Sequence, residues 1–488
     1  MQKLPYLLYC LISFTLASCT LFELKIPLPP PEKMGELVIA VREAPGFYQQ
    51  DDETISGFDY DLASLFAASL GVKARFIVAR DFNQLTTLLA KHQVHMVASL
   101  STGSTDFQLT QPLRSVGQWI VSHENALGPN NITDLSGQEV AVIAGSPLAQ
   151  NLRALDEENR PIVIEIPGMN ELSLLSQVAT QKIPLAAVHD INFDLANNFY
   201  PELATRLRLP GKTDLCWAFA KNETNPDTNS ATNPGFKPIS SQIKNTDEPS
   251  LHNRAEAFIA QSIANGTIAR LNDRYFGHIK RINSTGITQF IADTHRLLPD
   301  LRHHFHAAQD LTGIDWRLLA ALAYQESHWN PLATSPTNVR GIMMLTEDTA
   351  DYLGVDNRLD PAKSILGGAR YLAELNDRLP ADIKPPDRLW LALAAYNLGM
   401  GHLRGAFAIA KGMQRNTSSW YEMKKVLPLL SRPEVYDRLK SGPARGGEAV
   451  ILVENIRTYY AILTRFEPAH TAPFSTTTPQ AAGQVRLR

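Results

Sequence analysis

The feature that most restricts the fold is a change of pattern near residue 280. Up to Gly277 short β-like runs alternate with helical ones, whereas from about Thr285 the strand runs stop and helical spacing dominates. Leu37–Val41 reads as a buried strand, and Asp59–Leu70 places Leu62, Leu65, Phe66 and Leu70 at helical intervals. Arg75–Val78 then reads as strand, Phe82–Ala90 as helix and His95–Ser99 as strand. Val140–Ile143 runs into Ala144-Gly145-Ser146-Pro147, a strand–turn–helix entry. Such alternation predicts parallel sheets with binding loops at the C-terminal ends of the strands. At roughly 150 residues per domain, a chain of 488 residues holds two or three domains. With 44% hydrophobic and 19% charged residues the composition is globular, and a net charge of −3 supplies no basic field for nucleic acid. Three cysteines exclude a disulfide scaffold.

The N-terminus reads as an address. Met1-Gln2-Lys3 is a short positive region and Leu4–Ala17 is almost wholly apolar, which predicts a signal segment over residues 1–18. Leu16-Ala17-Ser18-Cys19 resembles the bacterial lipobox, in which the cysteine is acylated; the competing reading is a plain signal with an incidental cysteine. Thr20, rather than an Asp, favours the periplasmic face of the outer membrane for such an anchor. Residues 19–34, proline-rich from Ile26 to Pro31, are expected to be a tether. Cys216, between Leu215 and Trp217, is expected to be an inert core thiol. His303, His304 and His306 lack partners at a metal-ligand spacing and read as a solvated helix face, so neither a metal nor a cofactor is expected. Residues 222–250, dense in Asn, Thr, Ser and Pro, are expected to be a disordered insertion, and residues 469–488 a disordered tail.

In residues 35–280, Gly57-Phe58-Asp59-Tyr60-Asp61-Leu62, Val140 to Ser146, Ala186 to Asp190 and Gly266 to Leu271 ahead of Tyr275-Phe276-Gly277 resemble periplasmic solute-binding proteins of the amino-acid type. The resemblance implies two α/β lobes, with the chain crossing near Ser122 and again near Phe219. It also makes Asp59, Ser101, Ser146 and Asp190 candidate ligand contacts, although for Asp190 a structural acid at a strand end is the favoured reading over contact with a ligand ammonium. Where that family carries an Arg for a ligand carboxylate, this chain has Asp106, which would repel one. Either the alignment slips there or the ligand is not a free amino acid. A peptide or muropeptide is the expected ligand, and loss of binding is the alternative.

In residues 285–468 the helical spacing sets Leu318, Leu319, Leu322 and Ala323 on a stripe that also carries Glu326, with Asp315 as the expected N-cap and Asn330-Pro331 as the stop. A carboxyl on an apolar stripe loses hydration and holds its proton, as a general acid must. Tyr324-Gln325-Glu326-Ser327, Arg340 to Thr346, Ala394-Ala395-Tyr396-Asn397-Leu398-Gly399 and Glu454 to Tyr460 resemble, in order, the motifs of the lysozyme-like lytic transglycosylases of glycoside hydrolase family 23. Pairing with a solute-binding module resembles a membrane-bound subgroup of them. The fold class implied is multidomain, a two-lobed α/β binding-protein-like domain followed by a mainly α lysozyme-like domain.

The same resemblance implies that Glu326 makes both proton transfers in non-hydrolytic cleavage of peptidoglycan glycan strands. Ser327 and Tyr396 would orient the substrate, Asn397 and Tyr459 would support the site, and the Gly341–Met344 loop, with Met343 and Met344, would line the sugar groove. Met344 stands where the family commonly has Gln. Core packing is the competing reading for Tyr396, Tyr459 and both methionines. Glu347 and Asp348 are nearby acids; one placed opposite Glu326 would make the enzyme hydrolytic. A decayed, non-catalytic sensor is the remaining alternative.

Overall fold

The computed structural model describes residues 28–51, 54–101, 106–221, 249–437 and 439–471. The signal segment, Cys19, nearly all of the 222–250 insertion and the tail from residue 472 lie outside them. Part of the expected tether is built into the fold. Leu28 donates its backbone N–H to His92 O, His95 Nε2 bonds Pro29 O at 2.9 Å, and Pro31–Met34 forms a short helix.

Two large sheets form the first module, with a two-stranded ribbon of Gln49–Asp51 and Thr54–Ser56 beside them. In the first lobe the strands run in the order Lys73–Ala79, Glu36–Arg42, Met96–Ser101, Thr213–Ala220, Phe107–Leu109. The first three are parallel and Thr213–Ala220 is antiparallel. The run Leu37–Val41 is buried throughout, because helices cover both faces of the sheet. In the second lobe the order is Ile162–Ile166, Glu139–Ile143, Ala186–His189, Gln118–His123, Leu203–Arg208.

The crossings differ from expectation. The chain leaves the first sheet after Arg114–Val116 and enters the second at Gln118, so it crosses at Gly117; it returns between Arg208 and Thr213. Ser122 and Phe219 lie inside strands. Alternating hydrophobicity marks a strand but is blind to which sheet the strand joins. Cys216 is buried as expected, and burial pushes its thiol up to about 11.

From Ser284 onward the described chain is helical. At its centre lies Trp316–Ser327, in which Leu318 to Ala323 are all at most 1% exposed, so the helix is enclosed all round rather than along one stripe. Asp315 caps it by accepting from Arg317 N at 2.9 Å.

The modules meet through buried polar contacts. Arg457 Nη2 donates to Asp273 O at 2.9 Å and Arg274 O at 2.7 Å, capping the C-terminal carbonyls of Thr267–Phe276. Arg457 Nη1 pairs with Glu454 at 2.9 Å, and Thr458 Oγ1 donates to His278 O at 2.8 Å. An apolar core running from Val121 in the second lobe to Leu463 in the last helix joins the second lobe to the helical domain.

Candidate active site

Glu326 stands in the last turn of the enclosed helix. Asn330-Pro331 is not the stop: His328 and Trp329 adopt φ of 51° and 58°, ending the helix at Ser327. Trp329 is held there by its Nε1–H, which donates to Ala320 O at 2.8 Å. The sharp exit leaves Glu326 half-buried at the helix end. Burial pushes its carboxyl up from 4.5 to about 8, and among the described residues no hydrogen bond or ion pair offsets that effect.

The loop after the helix closes against it. Gly341 has φ 82°, and a Cβ there would lie 1.8 Å from Arg358 O, so only glycine fits. That requirement comes from the fold, not from approach of a sugar. Ser327 Oγ donates to Ile342 O at 2.8 Å and to Ala323 O at 3.1 Å; Tyr396 OH donates to Met343 O at 2.8 Å. These hydroxyl protons are therefore spent on holding the loop, leaving Tyr396 only acceptor capacity toward a substrate. Burial first, and then the charge of Glu326, keep the Tyr396 phenol well above its ordinary range.

The other expected residues divide. Met343 is fully buried and fills the space left by Gly368, so its side chain is core. Met344 is partly exposed with φ 48°, and Asn397 is exposed beside Tyr396. Tyr459 is buried, its ring 4.4 Å from Phe290 and 5.0 Å from Tyr324; burial drives its phenol up to about 12. It backs the helix carrying Glu326, and among the described residues its hydroxyl makes no hydrogen bond to the Gly341–Met344 loop. Glu347 and Asp348 are exposed, and Glu347 accepts from Asn338 at 3.1 Å. Asp293 was not foreseen: buried, it accepts from Tyr324 OH at 3.1 Å and pairs with Arg296 at 2.6 Å. Its pairing with Arg296 is local, but its contact with the helix that carries Glu326, through Tyr324, spans 31 residues and no local motif announces it.

In the first module Asp59 is buried and accepts from Ser99 Oγ, and burial lifts its carboxyl to about 7. Ser99, at φ 46°, lines the interlobe cavity that Ser101 was expected to reach; the side chain of Ser101 lies outside the described residues. Ser146 is buried with its hydroxyl unpartnered among the described residues. Asp190 accepts from Gly117 N at 2.9 Å at the crossover and from Ile191 N at 2.7 Å, a structural use. Asp106 is exposed.

Fold and site thus define a class: a two-lobed binding domain joined to a helical domain in which a glutamic acid, Glu326, is desolvated without a charge partner among the described residues. Residues 37–278 match the family described as bacterial extracellular solute-binding proteins, family 3, and residues 303–418 match the transglycosylase SLT domain. A "Membrane-bound lytic murein transglycosylase F" of Methylobacillus flagellatus is 38% identical over 474 residues, 95% of this chain and 95% of that protein. Proteins of the same name from Nitrosospira multiformis (38% over 469 residues, 94% and 91%) and Thiobacillus denitrificans (39% over 452 residues, 91% and 91%) are similar to it as well. The chain belongs to the membrane-bound lytic murein transglycosylase F family.

Proposed function

We propose that this chain is a lytic transglycosylase of the glycoside hydrolase family 23 type, cleaving the β-1,4 bond between N-acetylmuramic acid and N-acetylglucosamine without water. The observation that carries the reading is Glu326, an acid that keeps its proton near neutral pH because it is desolvated at the end of an enclosed helix. Its proton goes to the glycosidic oxygen, the C1–O bond breaks, and the substrate's own acetamido oxygen stabilises C1. The resulting Glu326 carboxylate then takes the C6 hydroxyl proton while O6 bonds to C1, giving a 1,6-anhydromuramoyl end and returning the acid to its starting state. Two carboxylates are needed only when water or the enzyme is the nucleophile. Glu347 is engaged by Asn338 at 3.1 Å and Arg358 at 3.8 Å, which ties it to its own loop rather than to a water opposite Glu326.

Digestion of purified sacculi followed by mass spectrometry tests it. Anhydro-ended muropeptides are the expected product; reducing ends would make the enzyme a hydrolase, and no release would make it a binding protein.

The solute-binding module is read as a regulator that takes a peptide or muropeptide, its influence limited by that ligand's differential affinity for the two states of the module. Membrane attachment rests on the Cys19 motif, with Thr20 favouring the outer membrane's periplasmic face. Among the described residues no helix is long and apolar enough to cross a membrane. Labelling with a fatty-acid probe, with Cys19→Ala as control, tests the anchor.

A further inference from the structure

Tyrosines lead away from the acid along the helix Pro361–Asp377. The charge of Glu326 acts on Tyr396, and the Tyr396 ring lies 5.5 Å from that of Tyr371 on this helix. Tyr371 in turn lies within electrostatic reach of Tyr352, on the helix Glu347–Leu353. Exposure rises along the row: Tyr396 and Tyr371 are partly buried, whereas Tyr352 is 62% exposed. A single exposed apolar side chain is ordinary, but this one is not loose. The Tyr352 hydroxyl donates to Glu374 Oε2 at 3.0 Å and accepts from Arg378 Nη2 at 3.1 Å, and Arg378 pairs with the same Glu374 oxygen at 3.3 Å. Glu374 and Arg378 follow Tyr371 at helical intervals and so share its face. An ion pair this exposed contributes little to stability. Its effect is to grip the polar tip of Tyr352 while most of the side chain stands in solvent.

We propose that Tyr352 is a sugar-stacking platform for the glycan strand, away from the scissile bond, at the far end of a track that begins at Glu326. This rests on the reading of the helical domain as a lytic transglycosylase. An amino sugar presents an apolar C–H face and a rim of hydroxyl and acetamido groups. The tyrosine ring covers the face, and Arg378 and Glu374 beside its tip meet the rim. Because the ring is already oriented, little side-chain freedom is lost when a sugar settles on it. Binding energy gained far from the reacting bond is spent on ordering the sugar beside Glu326. A distant contact therefore raises turnover of long strands and gives nothing to a substrate too short to reach it.

Turnover of two substrates by the full chain decides: peptide-free glycan strands of many disaccharides, and a tetrasaccharide of alternating N-acetylglucosamine and N-acetylmuramic acid. Tyr352→Ala should lower kcat/KM on the strands about three- to tenfold, the range of one aromatic stacking contact, and leave the tetrasaccharide within about twofold of the parent. Tyr352→Trp, which keeps a flat face, should retain most of the strand activity. Tyr352→Phe keeps the ring but loses both anchors and should fall between. The unaltered chain supplies a test that needs no variant, since its kcat/KM should rise with strand length. A parent that cleaves the tetrasaccharide as well as the strands, or a Tyr352→Ala variant that loses equally on both substrates or on neither, overturns the proposal. If the parent releases no anhydro ends from either substrate, the transglycosylase reading falls with it; anhydro release unchanged by Tyr352→Ala removes the platform alone.

Discussion

Replacing Glu326 by Gln should abolish turnover and, at neutral and alkaline pH, make the protein more stable. In the unfolded chain this carboxyl ionises at its ordinary value of 4.5, and in the fold burial holds it at about 8. The folded value lies above the unfolded one. The stability this group contributes is therefore fully present below pH 4.5 and is lost as pH rises toward 8. At about 1.36 kcal/mol for each pH unit, keeping the proton in the fold at pH 7 costs about 3 kcal/mol. Because the side chain at the helix end is only half-buried, solvent reduces this, and a gain of about 1–3 kcal/mol in the Gln variant is expected. For a domain of this size that is about 2–10 °C in the melting of the helical domain. Scanning calorimetry of both proteins at pH 4.5, 7 and 8.5 reads it directly. The two curves should coincide at pH 4.5 and separate progressively above it, with the variant melting higher. Equal separation at all three values, or a variant that melts lower at pH 8.5, would mean that the carboxyl is well hydrated and the general-acid reading is wrong. The unaltered enzyme should also lose turnover as pH rises past about 8, where Glu326 surrenders its proton.

Tyr396→Phe removes the only hydroxyl that bonds Met343 O among the described residues; a loss of about 1–3 kcal/mol in stability and about 10–100-fold in kcat through displacement of the loop are expected from denaturant titration and sacculus assays. Gly341→Ala forces a Cβ onto Arg358 O at 1.8 Å, so a destabilisation of about 2–4 kcal/mol should appear in urea unfolding. An Ala variant as stable as the parent would show that the loop relaxes freely. Arg457→Met leaves Glu454 buried without its closest cation and frees the carbonyls of Asp273 and Arg274. A loss of about 3–5 kcal/mol is expected, with new protease cleavage between residues 277 and 284.

Much of the site was legible because its signals are local. Glu326 lies on an apolar run capped by Asp315, and both are positions along one helix. The strands Leu37–Val41 and Val140–Ile143 and the helix Phe82–Ala90 follow from spacing alone. The Gly341 turn is also local, although the reason for its glycine, the carbonyl of Arg358, is not. What misled was distance along the chain. The motif leaves Met343 open between sugar contact and core filling, and packing against Gly368 decides for the core. Ser101 was expected in the cleft, but Ser99, turned by its positive φ, is the residue at the cavity.

Residue order alone therefore indicated the two-module architecture and the central helix, since hydrophobic period and capping act within a few turns of chain, whereas the choice of Glu326 as the acid comes from the resemblance of its motif. Only the tertiary structure decided that the acid is desolvated without a partner among the described residues, that Ser327 and Tyr396 spend their protons on loop carbonyls, and that Asp59 meets Ser99. Those are properties of groups brought together from far apart. Hydration, hydrogen-bond satisfaction and charge pairing depend on what surrounds a side chain in space, and that is set by packing rather than by its neighbours in the chain.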